Sequence, residues 1–139
     1  MGFVLDQHSL AHLQGVHPDL VKVVQDCAAN GVMPFTFGVS QGLRTLAEQE
    51  ADVKAGRSQT MKSRHLDGHA VDLVVLVNGV VSWAWPPYDI LAFQMKAAAA
   101  RCGIPINWGG DWVTFKDGPH FELPWEQYPS APAPEAAIA

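Results

Sequence analysis

Residues 62–83, KSRHLDGHAVDLVVLVNGVVSW, decide how the chain folds. Their second half reads as a β-hairpin. Residues 70–77 form a β-rich run, Asn78-Gly79 is the dipeptide that favours a type I′ turn, and VVSW returns as the second strand. One residue disturbs the run: Asp72 stands in an otherwise apolar strand, where a carboxylate is costly unless it is paired or bound to a metal. Alternation puts Ala70, Asp72 and Val74 on one face and His69, Val71 and Leu73 on the other. If Asp72 faces an ion, His69 points away from it. His65, in a loop before the strand with Gly68 permitting the turn between, is then the better-placed histidine. An aspartate paired with an arginine, beside a surface histidine, explains the same residues. Taken alone, the pair favours that plainer account.

Working outward, Ser9 is the expected cap of a short helix over 10–14, and residues 17–31 read as a helix with Pro18 in the first turn and Gly31 as its end. Residues 35–39 alternate as a strand. Residues 45–56 form a polar helix with Thr45 and Glu48 as a capping pair and Gly56 as terminator. Downstream, the segment 86–103 is the strongest helix, Ala-rich and stopped by Gly103. Residues 107–118 read as a structured loop and HFEL, 120–123, as a short strand. The sum is an α+β fold: a small antiparallel sheet of about four strands backed by helices, in one domain over 1–126. A Pro/Ala-rich tail over 127–139 is expected to be disordered.

Composition narrows the function. With 48% apolar and 17% charged residues, a chain of 139 residues is an ordinary globular domain. A net charge of −5, with basic residues scattered apart from Arg57, Lys62 and Arg64, argues against nucleic acid as partner. No apolar run reaches the roughly 20 residues of a membrane span. The N-terminus has no basic segment ahead of Asp6 and does not read as a secretion signal. Cys27 and Cys102 lack C-x-x-C spacing and read as buried free thiols. Any metal must therefore be held by histidine and carboxylate.

A second cluster, DWVTFKDGPHFELPW (111–125), puts Asp117 three residues before His120 at the start of a strand. Two histidines and a carboxylate make the ligand set of a catalytic zinc, which keeps a fourth position open. A further carboxylate nearby can take a proton from water and return it to a leaving amine. Asp117 is placed for that role. Glu122, on the same strand face as His120, is the rival base, and Asp117-Gly118-Pro119 by itself is more often merely a turn. His8, His12 and His17 read as solvated surface histidines, Trp83 and Trp85 as core. Trp108 and Trp112 stand beside the proposed site and have an even claim to shape a cleft.

The two motifs together, Ser63-Arg64-His65-Leu66-Asp67-Gly68-His69-Ala70-Val71-Asp72 and the later segments Trp108 to Trp112 and Asp117 to Glu122, resemble the zinc D-alanyl-D-alanine carboxypeptidase superfamily. Within it the sequence is most similar to the phage L-alanyl-D-glutamate endopeptidases, small endolysins, over roughly residues 17–125. The resemblance implies one Zn²⁺ held by His65, Asp72 and His120, with Asp117 as catalytic base. It further implies Arg44 as the cation steadying the oxyanion, and substrate contact by Ser63. The implied substrate is the stem peptide of bacterial peptidoglycan, cut between L-Ala and D-Glu. A monomer is expected, accumulating in host cytoplasm before release to the wall. The alternatives are a D,D- or L,D-carboxypeptidase of stem peptides and a non-catalytic zinc-stabilised binding module, as in the signalling domain of Hedgehog proteins.

Overall fold

A computed structural model describes residues 2–56, 63–114 and 116–129. Arg57 and Lys62 of the basic group, and residues 130–139 of the expected tail, lie outside the described residues; residues 127–129 of that tail are described, and the Tyr128 hydroxyl donates to Asp19. In chain order the elements are α1 (Gln7–His12), α2 (Pro18–Asn30), β1 (Thr36–Gln41) and α3 (Leu46–Lys54). A 3-10 turn (Arg64–Asp67) precedes β2 (Ala70–Val77), β3 (Val80–Ser82) and α4 (Trp85–Cys102). Then come β4 (Asn107–Trp108), a second 3-10 turn (Gly109–Asp111) and β5 (His120–Glu122).

The hairpin forms as its sequence dictates: Asn78 and Gly79 both take positive φ, 53° and 80°, and β3 returns antiparallel along the end of β2. β2 is the spine of the sheet, whose order is β1-β2-β5-β4 with β3 also on β2, every pairing antiparallel. Val71, Leu73 and Val75 point from one face of β2 into the core and are completely buried. There they join Phe37 and Val39 of β1, Phe121 of β5, and the inner faces of α2 and α4. Each such burial contributes about 1.5–3 kcal/mol. The face bearing Ala70, Asp72 and Val74 is left for other work. Among the described residues no helix is long and apolar enough to cross a membrane.

Local chemistry explains most boundaries. Thr45 and Glu48 make a full capping box at the start of α3. Gly103 closes α4 in the left-handed conformation. Four expectations need correction. Ser9 does not cap α1: Asp6 accepts from the Ser9 N–H, the helix begins at Gln7, and the Ser9 hydroxyl accepts from the Val39 N–H on β1. His17 is half-buried, capping α2 through its Nδ1. Trp83 and Trp85 are 69% and 42% exposed, and of the residues opening α4 Tyr88 is the one that reaches the core. Cys27 is buried but Cys102 only half-buried, both as free thiols.

Candidate active site

The register of β2 against β5 assembles the centre. Asp72 lies directly opposite His120, and Ala70 opposite Glu122. Opposed residues share a sheet face with Cβ atoms about 4.5–5.5 Å apart. Asp72, His120 and Glu122 therefore project together from the face that turns away from Val71, Leu73 and Phe121. His65 arrives from the 3-10 turn ahead of β2. Ser63 caps that turn, its hydroxyl accepting from the His65 N–H at 3.2 Å. Gly68 ends it at φ 75°, where an added Cβ would lie 2.3 Å from the Gly15 carbonyl oxygen, so the turn tolerates no side chain there.

One ligand atom each from His65, Asp72 and His120 lies within 4.8 Å of the others. His65 Nε2 is 3.2 Å and His120 Nδ1 3.4 Å from Asp72 Oδ1. Donors held about 2.1 Å from one tetrahedral ion stand roughly 3.4 Å apart, so the set fits zinc. The outer hydrogen bonds fix the tautomers. His65 Nδ1 donates to the Gly42 carbonyl at 2.8 Å, leaving the Nε2 lone pair for the centre. His120 Nε2 donates to Glu122 Oε1 at 2.7 Å, leaving Nδ1 inward. Such carboxylate or carbonyl partners orient metal-binding imidazoles and raise their basicity. Glu122 is thus engaged with His120, which removes it as the rival base. His69 faces away and meets Asp67 Oδ1 at 2.9 Å.

An ion held by this set would compete with the proton for His120. Burial works against its charge, but the carboxylates of Asp72 and Glu122 outweigh burial and raise its pKa to about 9 in the metal-free protein. Asp72 is held well below the usual carboxylate range: burial pushes it up, and the adjacent His120 and His65 imidazoles pull it down further. It is therefore already ionised at neutral pH. Since an unfolded histidine titrates near 6.5, the extra stability from protonated His120 is full below about 6.5 and disappears as pH rises through about 9. The metal-bound form gains in the same interval. Apparent zinc affinity is expected to tighten about tenfold per pH unit from pH 7 towards 9 and then level off, as read by chelator competition at fixed ionic strength.

Arg44 reaches the same face by way of a β-bulge. Val39 pairs with Leu73 and Gln41 with Asp72, so Ser40 is the extra residue, and its hydroxyl donates to the Asp72 carbonyl at 3.3 Å. The bend of a bulge redirects the strand end. The Arg44 guanidinium lies 4.0 Å from Asp72 Oδ2 and 3.4 Å from Asp52 Oδ2, and it donates to the side chains of Gln41 and Gln49. Gln49 is wholly buried. A helix read from sequence as polar thus turns Gln49 and Asp52 inward to hold this arginine. Their spacing, three apart on α3, was the available signal.

Asp117 comes from the turn before β5. Its N–H donates to the Gly109 carbonyl at 3.1 Å, and the Trp108 indole N–H donates to the Gly118 carbonyl at 2.7 Å. Gly109 is obligatory, since an added Cβ would lie 2.4 Å from the Asp117 carbonyl oxygen. Burial first, then the negative charge of Asp72, raises the Asp117 pKa, while His120, His65 and Arg44 oppose the rise. Its carboxylate therefore shares the electrostatic environment of the ligand set. Trp108 is buried beneath this turn, whereas Trp112 is half-exposed with its ring 4.9 Å from that of His120.

The structure thus brings His65, Asp72, His120, Asp117, Arg44 and Trp112 to one place, while Ser63 caps and Trp108 supports. The family model for phage L-alanyl-D-glutamate peptidase matches residues 1–123. The chain belongs to this family. A crystal structure of the Serratia marcescens L-Ala D-Glu endopeptidase ChiX superposes with a TM-score of 0.84 at 48% identity, covering 91% of this chain and 95% of that one. The L-alanyl-D-glutamate peptidase of Escherichia phage T5 is 31% identical over 120 residues, 81% of this chain and 83% of that protein. The peptidase of the same name from Listeria phage A118 is 33% identical over 107 residues, 77% of this chain. The aligned region is only 36% of that longer protein. In family terms the chain carries the peptidase fold.

Proposed function

We propose that this chain is a zinc-dependent endopeptidase that hydrolyses the L-alanyl–D-glutamate bond in the stem peptides of bacterial peptidoglycan. The observation that carries the reading is the convergence of His65, Asp72 and His120, each imidazole with its outer nitrogen already engaged, beside an Asp117 carboxyl of raised pKa. The bond itself is proposed from the names borne by the relatives.

A zinc ion in this ligand set would supply Lewis-acid polarisation of the scissile carbonyl and of the attacking water. The protein's own residues do the rest. Asp117, pushed towards the working pH, takes the proton from the attacking water and returns it to the leaving amine. Arg44 contributes a permanent positive charge beside the ligands, where negative charge develops on the carbonyl oxygen. Gln41, Gln49 and Asp52 hold its guanidinium in place. Trp112 walls the cleft next to His120.

Purified peptidoglycan incubated with the protein should yield fragments with new L-Ala carboxyl and D-Glu amino ends by mass analysis. Chelator should stop the reaction and zinc restore it. Release of D-Ala would instead make the chain a carboxypeptidase. Absence of metal-dependent cleavage would leave a binding module.

A further inference from the structure

Arg64 is the largest side chain buried completely among the described residues, yet it takes no part in the ligand set. A buried guanidinium is costly unless its donors are met, and here the chain beyond β5 meets them. Nε and Nη2 donate to the Leu123 carbonyl at 3.2 and 3.1 Å, and Nη2 also reaches the Tyr128 carbonyl. The Trp125 ring lies 4.1 Å from the Arg64 Cζ as a cation–π lid. The far end is fastened too: the Tyr128 hydroxyl donates to Asp19 Oδ2 on α2 at 2.6 Å, and its ring packs edge-on against His17. Arg64 also pairs with Asp67 at 3.0 Å, at the other end of its own 3-10 turn. The next residue along is His65.

We propose that residues 124–128 form a strap that fixes Arg64, and that Arg64 is a positioning residue setting where His65 presents Nε2 to the metal. The match to the family model ends at residue 123, just before the strap. The Arg64 side chain ties the ligand-bearing turn to the exit of β5, the strand that carries His120. Two ligands from separate elements are thereby held in one frame, and metal sites need their ligands within about 0.5 Å of the productive geometry. This inference rests on the zinc reading of the site.

The test uses the full chain with Trp125→Ala and Tyr128→Phe combined, alone and in an Arg64→Gln background. The combined change should weaken zinc binding about tenfold, as outer supports of metal sites do, and should alter the visible spectrum of the cobalt-substituted protein. In the Arg64→Gln background it should add little, because the strap acts through that side chain. Zinc affinity within twofold of wild type and an unchanged cobalt spectrum, even with a lowered Tm, would overturn the strap's role. So would full additivity with Arg64→Gln. If Arg64→Gln does not fold, the combined strap change decides by itself on the same bounds. A wild-type chain that takes up no zinc would sink the metal reading, and the strap's role with it.

Discussion

An Asp117→Ala chain is expected to keep its zinc and lose wall hydrolysis by about 10²–10⁴-fold, the usual contribution of a positioned general base. The ligand atoms come from His65, Asp72 and His120, so removing Asp117 leaves the metal-holding set whole. What goes is the group whose raised pKa places its proton exchange nearer neutral pH. No other described carboxylate is poised to replace it. Glu122 is engaged with His120 Nε2, and Asp72 is ionised far too readily to accept and return a proton. Zinc content and turnover of purified wall, measured on the same preparation, decide the matter. A variant that lost metal together with activity would place Asp117 among the ligands. One that kept lysis would move the base role elsewhere.

The second large effect separates a ligand from its support. Asp72→Asn removes the negative charge common to both histidines, and its effect on zinc affinity should exceed the 10–100-fold typical of an outer partner. Glu122→Gln should fall within that 10–100-fold range, because the amide can still accept from His120 Nε2 but no longer supplies charge. It should also carry a pH signature. With one of the two carboxylates that raise His120 gone, the proton leaves more easily, and the pH at which zinc affinity levels off should move below about 9. Chelator competition from pH 6 to 10 on both variants reads the two effects. Equal losses, or an unmoved plateau, would contradict the division of labour between Asp72 and Glu122.

Much of this was legible in the sequence where the physics is local. The Asn78-Gly79 turn, the Thr45–Glu48 capping box and the Gly103 stop each depend on residues within a few positions, and each stands where the pattern puts it. Strand parity separates Asp72 from His69, and the structure gives them different partners. What parity cannot supply is the neighbour across the sheet. Glu122 was visible as a residue on the His120 face, but whether it meets water or an imidazole depends on how β5 lies in three dimensions. The Ser40 bulge adds one residue to one side of a ladder and leaves no periodic trace. Around Arg44 the misleading sign was polarity itself: Gln49 and Asp52 look like solvent-facing positions until a buried cation calls for acceptors. Arg64 misleads likewise, since it belongs to a short basic group with Arg57 and Lys62 and its carbonyl partners lie some sixty residues downstream. The cap of α1 failed for a smaller reason: Asp6, three residues earlier, takes the helix end, and the Ser9 hydroxyl is spent on the Val39 N–H of β1.

The opposition of Asp72 and His120 across β2 and β5 also has a consequence for biosynthesis. Two of the three metal-binding side chains are made early and lie close together in sequence, but the third waits on a strand near the end of the described chain. A nascent polypeptide still lacking β5 has two of the three proposed ligands, and docking Phe121 into the core is what delivers His120. Unlike a zinc finger, which the ion itself folds, this domain brings its own apolar core to the task. An ion bound here would be a latecomer to a finished frame, so the proposed capacity to cut should appear only once β5 has been made.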